Sequence, residues 1–543
     1  MYSFVPARNN FSFFRFDPCF LLEKQHDICY NIMHCVKNQK KRMNYTMSAS
    51  NEKKTRTGSR AAAEAEEAKK NKKFRRNTII VIIAIVVLVA ASLVITSDIF
   101  YTRTTAVSVG STKYSPAEVN YFYKTAANQL YQQLYDSYGE TASSIMDLNK
   151  PLSQQYYYGD MSWAQMALQT AEQSMEEVAV YYDAAVKEGR TLSAVGKSNV
   201  ESSLTEMQLY ASMNGYKNLS KFLAAYFGKG MSEKLYTKIQ EKVNLAAEYS
   251  SELLDSLTYT DEELAAYYDE HADDFNYQNY YAYPVNFADA KFDDVEGEKA
   301  DAAHAEAEKI AAAKTVDAFI ANVRAFTGDE STDVTPAHTV ASSVNSNYAD
   351  WINDPARVEG DTTVIDTATC SYALMYVGID DNDYNTVDMR HILINAEADE
   401  IGEYTDEALE AAKARCEELL TEWQADPTSE HFAEMANEYS EDSGSNTNGG
   451  LYSTVIKNQM VPEINAFLFA DGRAAGDAAV VLGQSSAYTG YHVVYCDAIG
   501  ENLRTVLARN SKTNDDFNAV YASLKGDGYA VAEGSGMKYA SVN

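Results

Sequence analysis

Two histidines, His391 and His492, each sit inside a short apolar run of β type, Arg390-His391-Ile392-Leu393-Ile394 and Tyr491-His492-Val493-Val494-Tyr495. If these runs pair as neighbouring strands, the two imidazoles meet on one face of a sheet. Such a pair can polarise a bound group or simply hold two strands in register. Other familiar chemistries lack their residues. There is no G-x-S-x-G, H-E-x-x-H or P-loop motif, and the chain's 8 histidines have no metal-ligand spacing, so no metal or cofactor is expected. Cys19, Cys29, Cys35, Cys370, Cys416 and Cys496 form no C-x-x-C pair, which argues against a zinc site and a dense disulfide framework.

Between the histidine strands the pattern predicts a helix from about Asp406 to Trp423 and a second from about Ser429 to Tyr439. The turn Tyr439-Ser440-Glu441-Asp442-Ser443-Gly444 and the Gly-rich Asn448-Gly449-Gly450-Leu451 follow. Strand, helices, Gly-rich loop, helix and two strands make an α+β module. Asp442 on these grounds alone is an ordinary turn residue.

The stretch Asp388 to Cys496 resembles the parvulin-type peptidyl-prolyl cis/trans isomerases. The matching pieces, in order, are R-H-I-L-I, F-A-E-M-A-N-E-Y-S-E-D-S-G, the G-G-L turn, N-Q-M-V-P-E and T-G-Y-H-V-V-Y. The resemblance implies catalysis of X-Pro isomerisation with no cofactor, metal or covalent intermediate. It places His391 and His492 as the paired-histidine core, Asp442 at the family's Cys or Asp position and Thr489 as a nearby hydroxyl. Leu451 and Met460 would line the proline slot. Ile464 stands where the family usually has Phe, Ala487 where Ser or Thr is common, and Gly-Gly-Leu-Tyr replaces the usual Gly-Asp-Leu-Gly.

A second copy of this module precedes the first. Arg357-Val-Glu-Gly360-Asp361-Thr-Thr-Val364 echoes Arg473-Ala-Ala-Gly476-Asp477-Ala-Ala-Val480. Aligning the copies puts Tyr283 and Tyr372 at the two histidine positions, so residues 276–380 read as a degenerate, inactive parvulin-like domain before the isomerase-like domain at 386–500.

Residues 105–275 read as mostly helical. Capping boxes at Ser115 with Glu118, Ser162 with Gln165 and Thr260 with Glu263 mark helix starts, with Thr405 a less complete case. Tyrosine is abundant here, at Tyr156 to Tyr158, Tyr181, Tyr182, Tyr267 and Tyr268, which fits either packing or a peptide-binding surface. Residues 501–543 are expected to add a helix and a strand that pack on the body.

The N-terminus differs in kind. Through Arg76, 17 Lys and Arg stand against 7 Asp and Glu, leaving 29 against 71 in the rest, so a +10 tail precedes a −42 body whose sum is the chain's −32. A body that acidic repels phosphate backbones and excludes nucleic acid as its partner. Residues 1–76 read as a basic cytoplasmic tail, with translation beginning at Met47 and the leader 1–46 assigned no function. The uncharged run Ile79 to Ile95 reads as a single transmembrane anchor over 77–97, N-terminus in, or as a cleaved signal peptide. With 543 residues, 46% hydrophobic and 23% charged, the remainder has room for several folded domains.

The expected fold class is therefore α+β: one transmembrane helix, a helical chaperone-like domain and two parvulin-like domains, the first degenerate. The whole resembles extracytoplasmic PrsA- or SurA-type foldases at a cell surface, whose implied partners are the membrane and unfolded or nascent secreted polypeptides containing proline. A chaperone that keeps the parvulin fold only as a peptide clamp is the rival reading, and a surface scaffold without a folding client a third.

Overall fold

The computed structural model describes residues 56–293, 298–399, 402–485 and 488–542, with the backbone alone for 56–65, 90, 91 and 93–96. The leader with Met47, Cys19, Cys29 and Cys35, the first part of the basic tail, and Ala487 lie outside the described residues. The chain divides into two units, Met1–Ser97 and Asp98–Asn543.

In the first unit helix α1 (Arg56–Thr96) carries the basic cluster and the apolar run on one continuous rod. The expected transmembrane anchor is not borne out. Among the described residues no helix is long and apolar enough to cross a membrane. The uncharged run Ile79 to Ile95 lies near the lower limit of the ~17–25 residues a span requires and follows directly on the basic residues Lys69 to Arg76 in the same helix. The membrane partner and single-pass placement rested on this helix and are not supported by it.

In the second unit β1 (Val107–Val109) and β2 (Thr112–Tyr114) form a hairpin leading into α2 (Pro116–Tyr138). Ser115 accepts from the Glu118 N–H while the Glu118 carboxylate accepts from the Ser115 N–H, and Pro116 fills the first helical position, where its missing N–H costs nothing. The Ser162–Gln165 and Thr260–Glu263 boxes form likewise, ahead of α3 (Trp163–Lys187) and a later helix. On α3 the residues Ala164, Ala167, Ala171, Met175 and Ala179 recur every three or four positions and are buried. That narrow small-residue stripe lets α3 lie close between neighbours. The neighbours are α2 and, beyond α4 (Ala194–Met213) and α5 (Leu219–Phe227), helix α6 (Glu233–Asp255). Helix α7 (Asp261–Glu270) closes the series.

Two antiparallel sheets follow with the same topology. The first has β3 (Tyr277–Asn286), helices α8 (Lys299–Ala311) and α9 (Val316–Thr327), then β4 (Ala337–Val340), β5 (Thr362–Asp366) and β6 (Cys370–Asp380) in the order β4-β3-β6-β5. The second has β7 (Asn385–Asn395), α10 (Asp406–Ala425), α11 (Ser429–Tyr439), β8 (Leu451–Val455), α12 (Pro462–Leu468), β9 (Ala478–Gln484) and β10 (Thr489–Asn502) in the order β8-β7-β10-β9. The repeated strand order matches the repeated sequence pattern.

One position of that alignment needs correction. Tyr283 packs on the helix side of its sheet with Tyr281 and Val285, whereas Tyr372 faces the other side with Tyr348 and Leu374. The residue of β3 that shares the face of Tyr372 is Ala282. In a period-two strand a slip of one residue moves a side chain to the opposite face, and sequence alignment alone does not see it.

The chain then returns to where it began. Helix α13 (Leu503–Lys525) packs Phe517, Tyr521 and Leu524 against Tyr181 and Tyr249, and β11 (Val531–Glu533) pairs antiparallel with β1. The helical region is thus built from both ends of the unit, with both sheet modules inserted between.

Candidate functional site

Strand alternation builds the site. On β7 the residues Ile392 and Ile394 face α10 and α11, while Val387, Met389 and His391 face the other way; on β10 Tyr491, Val493 and Tyr495 take the helix side and His492, Val494 and Cys496 the opposite one. His391 lies across from Val494 and His492 across from Leu393, so the imidazoles are diagonal neighbours on one face. Their Nδ1 atoms are 2.9 Å apart.

The turn after α11 delivers Asp442. Ser440 Oγ accepts from Leu393 N–H at 3.1 Å, and the Glu441 N–H donates to the Leu393 carbonyl at 2.9 Å, which pins the turn along β7. Asp442 Oδ2 then sits 2.8 Å from His391 Nε2. The same oxygen accepts from Ser445 Oγ at 2.6 Å and from the Tyr452 hydroxyl at 3.0 Å, and Oδ1 accepts from the Gly444 N–H at 3.1 Å. Arg390 clamps the glycine loop by donating to the Gly449 carbonyl at 2.9 Å while pairing with Asp497.

At the far end the Tyr488 hydroxyl lies 3.1 Å from His492 Nε2. Beneath the imidazoles is an apolar floor of Val387, Met389, Val455, Ile464, Leu468 and Val494, with Met460 half-buried at its edge.

Burial decides the protonation. His391 is 6% exposed and His492 1%. Burial pushes the His391 imidazole below its ordinary value despite the opposing pull of Asp442, and burial with the neighbouring His391 takes His492 down to about 3. Burial alone would raise Asp442, but its hydrogen bonds from Ser445, His391 and Gly444 outweigh that and hold it well below the usual carboxylate range. Near neutrality the site is two neutral imidazoles beside one carboxylate. An ionised Asp442 only accepts, so His391 donates from Nε2 and accepts at Nδ1; His492 must then donate from Nδ1 and accept at Nε2 from Tyr488. The four groups form one directed chain, Tyr488 to His492 to His391 to Asp442.

The sign of the resulting pH dependence follows. A base whose folded pKa is depressed leaves the unfolded chain to bind protons first as pH falls. Stability present above about pH 6.5 is therefore lost toward acid at up to ~1.4 kcal/mol per pH unit per imidazole, down to about 3 for His492. Asp442 adds loss in the same direction below about pH 4. The ring ¹⁵N shifts of His492 are expected to stay constant from pH 8 to 5, and those of His391 to change only below pH 6.5, while the urea midpoint falls below pH 6.5. Titration of either ring near pH 6.5 would contradict this.

The structure brings His391, His492 and Asp442 together, with Met460 and Ile464 on the same side. Ile464, at 2% exposure, supports the floor from within. Leu451 pairs with Arg390 and so shares the helix side; its neighbour Tyr452 takes the place beside His391, ring edge-on at 5.4 Å. Thr489 is buried three residues before His492, and alternation puts it with Tyr491 on the helix side. Ser445, Tyr452 and Tyr488 were not singled out from sequence. Only the Asp-Ser-Gly-Ser turn and the Tyr after Gly-Gly-Leu hinted at the first two. Among the described residues no group of three His, Cys, Asp or Glu is placed to hold a metal ion.

Residues 372–498 match the family model of the PPIC-type PPIASE domain, from β6 through most of β10. No curated protein matches the chain. Similar solved structures include the peptidylprolyl isomerase PrsA of Bacillus anthracis, at 16% identity over 27% of this chain and 59% of that one, TM-score 0.17. PrsA of Bacillus cereus follows at 15% identity over 55% and 86%, TM-score 0.18. The foldase protein PrsA of Streptococcus pneumoniae str. Canada MDR_19A has 11% identity over 69% and 92%, TM-score 0.24. The chain spans 59% of the length of the first of these structures. Residues 372–498 are thus similar to the PPIC-type, or parvulin-type, peptidyl-prolyl isomerase domain, and the histidine site lies within them.

Proposed function

We propose that the chain is a foldase whose module at 386–500 isomerises X-Pro bonds in unfolded, secreted polypeptides while the rest holds them. The observation that carries this reading is the directed chain of buried neutral imidazoles ending on Asp442 beside the apolar side chains Met460 and Ile464. Isomerisation must cross a barrier of about 20 kcal/mol raised by amide resonance. A site lowers it by holding the proline ring in an apolar slot and favouring the twisted amide over both planar forms. Fixed dipoles in a water-poor pocket do this without reorganising at the moment of reaction. Asp442, already receiving four hydrogen bonds, is a poor nucleophile and base, which favours such electrostatic work over covalent chemistry.

The helical region, 105–275 with 501–543, and the module at 276–380 supply the holding surface. Tyr156 and Tyr158 are 72% and 83% exposed, while Tyr181 and Tyr268 are core, so only some tyrosines are free to meet a client. A second reading, a clamp without catalysis, is favoured by the first module. It has the same strand order but Ala282 and Tyr372 where the second has its imidazoles.

A proline-limited refolding reaction separates the two. Acceleration by the intact chain, lost in a variant lacking 386–500, is expected. Suppressed aggregation without acceleration would establish the clamp instead.

A further inference from the structure

We propose that Tyr488 is a positioning residue that fixes the tautomer of His492 and, through it, the direction of the hydrogen-bond chain to Asp442. The inference rests on the isomerase reading and assigns a role to a residue outside the set His391, Asp442 and His492.

A neutral imidazole can carry its proton on either nitrogen, and in a buried site its partners choose. At one end Asp442 demands a donor from His391 Nε2, which leaves His391 Nδ1 as an acceptor for His492 Nδ1–H across 2.9 Å. That choice strips His492 Nε2 of its proton. With His492 1% exposed, water is not there to satisfy the bare nitrogen, and an unmet acceptor favours the other tautomer. The other tautomer would set two Nδ1 lone pairs against each other and break the link to His391. The Tyr488 O–H, 3.1 Å from Nε2, removes the conflict by donating there.

The surroundings are built for this contact. Tyr488 is held by Ser485: its N–H donates to Ser485 Oγ at 3.3 Å and the Ser485 N–H donates to the Tyr488 carbonyl at 2.9 Å. Its ring meets His492 edge-on at 5.6 Å. Across the hairpin, Gly483 leaves the space in which the two groups meet. A Cβ there would stand 2.4 Å from His492 Nε2 and 3.3 Å from the Tyr488 hydroxyl. Gly483 has no left-handed backbone to excuse its lack of a side chain, so the void itself is the reason for glycine at this position.

The test uses the full chain with ¹⁵N-labelled histidine. Wild type is expected to show one His492 tautomer, protonated at Nδ1 and bare at Nε2. In Tyr488→Phe, which keeps the ring and loses only the hydroxyl, the His492 signals are expected to move toward a tautomer mixture and kcat/KM to fall about tenfold, the effect of one buried hydrogen bond. Gly483→Ala, whose Cβ intrudes where the imidazole and the hydroxyl meet while residue 488 stays tyrosine, is expected to do the same and serves if the first variant does not fold. A single wild-type tautomer in both variants, or a changed tautomer with unchanged kcat/KM, would overturn the proposal. Absence of isomerase activity in wild type would defeat the isomerase reading, while the tautomer signals would still judge Tyr488.

Discussion

Replacing His492 by alanine is expected to lower prolyl isomerisation by about a hundredfold, equivalent to ~3 kcal/mol of lost transition-state stabilisation. The imidazole links both halves of the directed chain, and its removal orphans His391 Nδ1 and the Tyr488 hydroxyl at once. The site is buried, so neither group finds water easily, and the cavity left behind adds to the loss. The fold is expected to weaken by about 2–4 kcal/mol, read as a lower urea midpoint. Isomerase kinetics under conditions where the variant remains folded separate the two effects. Undiminished kcat/KM in folded His492→Ala would mean the imidazoles act only as struts.

The largest effect on stability is expected at Gly450. Its φ is +67°, and a Cβ would stand 2.2 Å from the His391 carbonyl oxygen and 3.0 Å from Ala436 Cβ. An alanine meets both the left-handed penalty of roughly 1–2 kcal/mol and a clash with a strand backbone that has no room to yield. Relief requires β8 to part from β7, which breaks the His391 N–H bond to the Gly450 carbonyl, 3.0 Å in the native fold. Gly450→Ala should therefore cost well over 3 kcal/mol and disperse the histidine resonances. Gly476→Ala is the control: φ is +97° but nothing lies within 4 Å of a Cβ, so only about 1 kcal/mol of backbone strain is expected. Equal stability losses in the two variants would show that the contact with His391 is not what demands glycine at 450.

Much of the site was legible because short-range rules wrote it. The β runs around His391 and His492 pair as their apolar pattern requires, and the capping boxes at Ser115, Ser162 and Thr260 form where spacing placed them. Faces were harder. Leu451 sits one residue from the position that faces the site, Tyr283 one residue from the corresponding position of the first module, and a period-two strand turns that small error into the wrong side of the sheet. Hydroxyl donors were harder still, because Ser445, Tyr452 and Tyr488 matter only through three-dimensional company that no local pattern encodes. The pairing of β1 with β11 joins opposite ends of the unit, a contact invisible to any window of sequence. At the N-terminus the uncharged run suggested a span, yet among the described residues no helix is long and apolar enough to cross a membrane, and in α1 the run is continuous with the basic cluster.

The central claim is that this site isomerises X-Pro bonds, and exchange spectroscopy on a short X-Pro peptide tests it free of any holding effect. With catalytic amounts of the intact chain, cis/trans exchange should rise from the spontaneous scale of tens of seconds into the range of seconds or faster, and should return to the spontaneous rate in His391→Ala/His492→Ala. Exchange that stays spontaneous with the folded wild-type chain, or acceleration that survives the double substitution, would contradict it.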